Sequence, residues 1–213
     1  PVSVAEFEHG EGDEPARPRS LGSDSMKLVF GPDDWEGFEA ARDRIVAAFE
    51  EVYGHRFGRV AEQVLDLKWG YLGGDLDHWS PEDVEEILLG LYPAKVMLDA
   101  AEIVDVPKGF AALLRFLGHD RPRHESPFEV LGEFAERLAS RCHAAMNDED
   151  NWSFGKRMWS TATAEGVDLS NEAALGQWVE GFNQRSIGER DQILGRLPVP
   201  PPGVGSPLIG SLP

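Results

Sequence analysis

Apolar residues recur three and four positions apart through most of this chain, and residues that start or stop helices stand at the ends of each such stretch. That periodicity matches an α-helix and not a strand. Trp35, Phe38, Ile45, Phe49 and Val52 share one stripe, with Gly54 directly after it. Phe57, Val60, Val64, Leu67 and Tyr71 form one face of the next stretch, and Leu65, Trp69 and Leu72 a second face, before Gly73-Gly74. A helix apolar on two faces belongs in the centre of an assembly.

Further along, Ser80-Pro81-Glu82-Asp83 gives an N-cap, a proline at the first helical position and an acidic first turn, predicting a helix through Val84, Ile87, Leu88 and Leu91 that Pro93 interrupts. After Val106-Pro107, Phe110, Leu113, Leu114 and Leu117 make an amphipathic helix that stops at Gly118. Ser126-Pro127-Phe128-Glu129 reads as a capping box launching Leu131, Phe134, Leu138, Cys142 and Met146 on one helix. Asn151 opens a helix through Trp152, Trp159 and Ala162. Ser170 caps the one bearing Leu175, Trp178, Val179 and Phe182, and a short last helix covers Ile187 to Leu194. Strand alternation is confined to Lys27–Phe30, too short to build a sheet. The expected fold is all-α: a single irregular array of about seven or eight helices over residues 26–197, with no solenoid repeat.

The ends differ in kind. Residues 1–25 are rich in Glu, Asp, Gly, Pro and Ser, with too few apolar side chains to offset the entropy of ordering them, and read as a flexible tail. Residues 198–213 carry no charge and hold six prolines, so they read as an extended, partly polyproline II tail.

Charge narrows the partners. Thirty-eight acidic residues against twenty basic ones give a net charge of −18, a field that repels a phosphate backbone and disfavours direct nucleic-acid binding. Acids concentrate between Asp33 and Asp105, where 18 face 6 bases, whereas Val106 to Arg196 holds 14 acids and 11 bases. No apolar run approaches the roughly 20 residues of a membrane span. A single cysteine, Cys142, precludes an intrachain disulfide and points to a reducing, cytoplasmic setting.

Motifs of chemistry are sparse. The chain has no phosphate-binding glycine loop, zinc-protease helix or nucleophile elbow. His119, Asp120 and His124 offer three metal-ligand types within six residues, yet Arg121 and Arg123 between them oppose a cation. Cys142 and His143 diverge by about 100° on a helix, which rules out a nucleophile and base pair, and Cys142 falls on the apolar stripe as a small core residue. His55 and His78 stand at helix ends or turns. Two acidic runs, Asp75 with Asp77 and Asp148-Glu149-Asp150, are oxygen-ligand candidates that read equally as turn and cap residues. Neither a metal nor a cofactor is expected. Of the six tryptophans most fall on buried stripes. Trp79 and Trp152, each beside a turn and next to acids, are expected to be exposed interface aromatics.

Two resemblances add to this. Trp79-Ser80-Pro81-Glu82-Asp83-Val84, Leu88-Leu89, Pro93-Ala94-Lys95-Val96, Val106-Pro107, Arg115-Phe116, Phe154-Gly155-Lys156 and Gly166-Val167-Asp168-Leu169 together resemble a family of helical proteins of high-GC actinobacteria with no assigned activity. Fifteen arginines against five lysines agree with such a genome. The resemblance implies a helical fold and no mechanism. Near the end, Pro207-Leu208-Ile209-Gly210-Ser211-Leu212 is similar to the Ile-Gly-Ser-Leu core of the peptides that dock cargo inside encapsulin shells, although Pro213 stands where a basic residue normally follows. That likeness implies a docking role for Leu208, Ile209 and Leu212.

These observations lead to a non-enzymatic, acidic helical module that binds another protein, or a second copy of itself, through its acidic half or its tails. Two alternatives stay open: an acidic regulator that competes with nucleic acid for a basic partner, and an enzyme whose His/Asp pocket assembles from residues distant in sequence.

Overall fold

A lone glycine separates the first two helices of the computed structural model, which describes residues 28–119 and 127–195. Helix α1 (Trp35–Tyr53) ends at Gly54, and α2 (His55–Tyr71) begins immediately after it. The remaining α-helical segments are α3 (Pro81–Glu86), α4 (Tyr92–Lys95), α5 (Ala100–Ile103), α6 (Val106–Gly118), α7 (Phe128–Arg137), α8 (Ala139–Asn147), α9 (Phe154–Ala164), α10 (Glu172–Gln184) and α11 (Ile187–Leu194). Several are consecutive pieces of one run, and the chain is all-α as the periodicity requires. Among the described residues there is no strand, only an isolated antiparallel bridge between Val29 and Asp75. No described helix is long and apolar enough to cross a membrane.

The expected single array divides into two compact units that share the chain alternately: residues up to Val84 with Asp105–Arg137, and Glu85–Val104 with the residues from Leu138 onward. In the first unit α2 packs against α1 and α6, and α6 packs against α7. The two-faced apolar pattern of α2 is thereby explained. Helix α6 is still more enclosed: Val106, Phe110, Ala111, Ala112, Leu113, Leu114, Phe116 and Leu117 are all buried, because the Phe110–Leu114 run leaves no polar face there. Gly109 permits the close approach of α2, since a Cβ at that position would lie 2.9 Å from Cβ of Val60. Phe49 meets Phe116 edge-on at 5.5 Å, and Phe38 stacks on Trp69 at 4.8 Å. The Trp69 indole N–H is buried with no acceptor among the described residues. Trp35 and Val52, at the two ends of the α1 stripe, remain exposed.

Between α2 and α3 the chain makes a tight turn. Gly74 adopts φ +72°, and a side chain there would strike the Phe30 carbonyl oxygen at 2.6 Å, so only glycine fits. Asp75 does not face outward as a ligand: its Oδ1 accepts from the backbone N–H groups of Asp77 and His78. Ser80 and Asp83 form a reciprocal cap, with the Ser80 N–H donating to Asp83 Oδ2 (2.8 Å) and the Asp83 N–H to Ser80 Oγ (3.2 Å). The same carboxylate holds Lys68 Nζ at 3.0 Å, and Lys68 is only 3 % exposed.

In the second unit the run entering from α3 widens into a π-helical turn at Ile87–Leu91, in which the Tyr92 N–H bonds to the Ile87 carbonyl, and continues as α4. Pro93 therefore does not interrupt the helix as its sequence position suggested. Proline supplies no N–H and its ring crowds the carbonyl one turn back, and the wider turn relieves both. The long helix expected from Phe128 to Met146 is likewise two segments, α7 and α8, with Leu138 between them at the boundary of the two units. Ser126 lies outside the described residues, so its half of the expected capping box does too. Ile87, Leu88, Leu91, Tyr92, Leu138, Cys142 and Met146 form the core where α8 meets the π turn and α4. Burial pushes the Cys142 thiol up to about 11, as suits an inert core residue. The Asp148 run is a cap: Asp148 Oδ1 accepts from the Asp150 N–H and opens a 3₁₀ turn at Glu149–Asn151. Helix α9 consequently starts at Phe154, capped by Ser153 and not by Asn151, and α10 is capped by Asn171, one residue after Ser170.

The Lys68–Asp83 pair yields a prediction. Asp83→Ala leaves the buried ammonium uncompensated and strips the α3 cap, so a loss of about 3–5 kcal/mol is expected in chemical denaturation. Lys68→Met combined with Asp83→Ala is expected to recover a large part of it. A single-variant loss no greater than that of an exposed carboxylate such as Glu62 would refute the role given to this pair.

Candidate interaction site

The second unit collects aromatic and cationic side chains on α9, α10 and α11. Its foundation is the start of α9. Helix α4 ends at Lys95, which leaves the carbonyls of its last turn without intrahelical donors. Two groups from the α9 N-terminus fill that need: the Ser153 N–H donates to the Ala94 carbonyl at 3.1 Å, and Lys156 Nζ donates to the Pro93 carbonyl at 2.8 Å. Lys156 is 5 % exposed and sits over the Trp152 ring, 4.8 Å from its centroid. Burial lowers its ammonium to about 8, and a nearby aromatic face and carbonyl oxygen replace only part of the lost water. Trp152 is half-buried and held in place by its Nε1–H, which donates to the Met146 carbonyl at 3.1 Å.

Beyond this anchor the packing thins. Of α10 only Phe182 is buried, and of α11 no residue is. Trp159, Leu175, Trp178 and Val179 are half-buried, while Phe154 and Ile187 are exposed. Trp159 and Trp178 lie with ring centroids 6.5 Å apart at 45°, and Trp178 stacks on Phe182 at 5.2 Å. The Trp178 ring is held in place by Glu165 and Arg185. Its Nε1–H donates to Glu165 Oε2 at 2.7 Å, the Arg185 guanidinium bonds both oxygens of Glu165, and the same guanidinium rides over Trp178 and Phe182 at 5.8 and 5.4 Å. The bonds from Arg185 and then Trp178 hold the Glu165 carboxyl below its ordinary range. Such a surface offers apolar aromatic faces and, among the described residues, no nucleophile paired with a base.

The residues singled out from the sequence fare unequally. Trp79 is not an exposed aromatic. It is 3 % exposed, donates from Nε1 to the Leu76 carbonyl, meets Phe110 edge-on at 5.5 Å and carries Lys68 over its ring. The turn beside it, which suggested exposure, folds back and covers it. Trp152 keeps one side open. His119 stands exposed after α6, while Asp120 and His124 lie outside the described residues, as do Leu208, Ile209 and Leu212. Among the described residues no three His, Cys, Asp or Glu side chains come together as a metal site. Lys156, Glu165 and Arg185 were missed in the sequence. Lys156 follows Trp152 by four positions and Arg185 follows Phe182 by three, spacings that put each cation and ring on one helical face or turn.

No protein-family model, curated protein or solved structure matches the chain, so any activity must be argued from these side chains.

The lowered Lys156 ammonium sets a pH dependence. Between about 8, its value in the folded protein, and 10.5, the ordinary lysine value, the unfolded chain binds the extra proton, so stability rises with pH across that window. The measurement is denaturation of the native protein and of Lys156→Met at several pH values. The native protein is expected to gain relative to the variant as pH climbs from 8 to 10; parallel curves would disprove the buried-amine assignment.

Proposed function

We propose that the protein is a non-enzymatic helical module that binds another protein, and that the incompletely covered aromatic face of α9 and α10 is the contact surface. The observation that carries this reading is the aromatic cluster of α9 and α10 itself: Trp159 and Trp178 stand 6.5 Å apart, and with Leu175 and Val179 they are only half-buried by packing within the second unit. Leaving such side chains half-wet forgoes roughly 25 cal/mol for each Å² of apolar surface, which a partner recovers on covering them. Trp178, pinned by Glu165 and Arg185, loses little further freedom on binding, and rigid tryptophans of this sort dominate interface energies. The charge of −18 supports a protein partner over a nucleic acid, and the single cysteine suits a reducing compartment such as the cytoplasm. The encapsulin-like Leu208, Ile209 and Leu212 would supply a separate attachment.

Association is tested by partner capture from the native cell with mass spectrometry, comparing the native chain with Leu175→Glu/Val179→Glu. A protein retained by the native chain and lost by the double variant is expected, with circular dichroism unchanged. Equal retention by both would move the contact surface elsewhere.

A further inference from the structure

One carboxylate ties α10 and α11 to the rest of the second unit. Among the described residues, every side-chain hydrogen bond and ion pair that leaves residues 171–194 ends on Glu165, the residue that closes α9. Trp178 Nε1–H donates to its Oε2 at 2.7 Å, and Arg185 donates from Nη1 to Oε1 at 2.9 Å and from Nη2 to Oε2 at 2.6 Å. The other side-chain bonds of this stretch stay local: Asn171 caps α10, and Ser186 with Glu189 caps α11. Burial adds little, since Phe182 alone of the two helices is enclosed. The helices are also weak in themselves. They are 13 and 8 residues long, too short to persist without tertiary support. Inside α10 stand two exposed glycines, Gly176 and Gly181, with nothing within 4 Å of where a Cβ would lie. Packing does not call for them, and each weakens the helix by about fivefold relative to alanine. The connection from α9 opens with Gly166, at φ +84° and with equally open surroundings.

We infer that α10 and α11 form a strap that opens as one local unit while α9 stays docked on α4, and that Glu165 is its latch. Helix α9 keeps its own attachment, the bonds of Ser153 and Lys156 to the carbonyls of α4, in which no strap residue takes part. The aromatic face is divided between the two sides: Trp159 belongs to α9, whereas Leu175, Trp178 and Val179 belong to the strap. Opening lifts Trp178 from Trp159 and takes the face apart. The inference rests on reading that face as the contact surface and adds its regulation. A partner that needs both halves binds the closed form, its apparent affinity falls with the closed fraction, and its binding in turn holds the strap shut.

The experiment is amide hydrogen exchange of the full chain, read by mass spectrometry, for the native protein, Glu165→Ala and Gly176→Ala/Gly181→Ala. In the native protein the amides of residues 172–194 are expected to exchange together and faster than those of α8, whose Cys142 and Met146 lie in the core of the same unit. Glu165→Ala removes charge-assisted bonds at a carboxylate 40 % exposed and is expected to speed strap exchange by about tenfold. The double alanine variant is expected to slow it by about tenfold or more. Exchange in α8 is expected to stay unchanged in both. Strap amides as slow as those of α8 in the native protein overturn the inference. So does a Glu165→Ala effect that is absent or equally large in α8, and so does a double alanine variant that leaves the strap unchanged. If the exchange pattern holds while partner capture ignores Leu175→Glu/Val179→Glu, the latched strap stands and the contact surface lies elsewhere.

Discussion

The ammonium of Lys68 is the constraint around which the first unit is arranged. An amine 3 % exposed has given up nearly all its water, and only an ionised partner with good geometry makes that tolerable. Asp83 is that partner, and it is committed elsewhere as well, accepting from the Ser80 N–H to begin α3. Because Lys68 belongs to the last turn of α2, the pair fixes where α3 starts relative to the end of α2. Trp79 is trapped in the loop so formed, its ring beneath the ammonium and its edge against Phe110. One charge thus determines the path of the turn, the burial of a tryptophan and the contact with α6.

The second unit uses a cation differently. Lys156 has no carboxylate partner among the described residues; it meets a carbonyl at the end of α4 and the face of Trp152. A helix C-terminus carries partial negative charge, so an ammonium there is favourable, but it compensates desolvation less fully than a carboxylate would. The lowered proton affinity of Lys156 reflects that difference. With Ser153, this residue joins two short helices, neither of which would persist alone at its length.

How much of this was legible in the sequence depended on the range of the interaction concerned. The stripes of α1 and α2, the Ser80–Asp83 cap and the burial of Cys142 follow from neighbours within a few positions, and they appear where the periodicity put them. Trp79 was misjudged because a turn and flanking acids suggest exposure, whereas its cover comes from Phe110, thirty-one positions away, and from Lys68. Pro93 was misjudged because a π turn has no local signature distinguishing it from a helix end. The division into two units was hidden for a related reason: each unit is assembled from separated stretches, so no linker marks the boundary. Of the aromatic face, Trp178 was visible as a stripe residue, but its clamp by Glu165 and Arg185 joins positions thirteen and seven residues to either side.

The alternating ownership of the chain bears on the order in which it can fold during synthesis. The first unit needs α6 and α7, so it cannot close until Arg137 has emerged. By then Glu85–Val104 is already outside the ribosome, with Ile87, Leu88, Leu91 and Tyr92 awaiting a helix that has yet to be made. That stretch is a nascent chain's exposed liability for the time taken to translate from Val104 to Met146, roughly 2 to 8 s at ordinary elongation rates. A strongly acidic leading half, Asp33 to Asp105, supplies like-charge repulsion between neighbouring chains on a polysome while the apolar residues wait for cover.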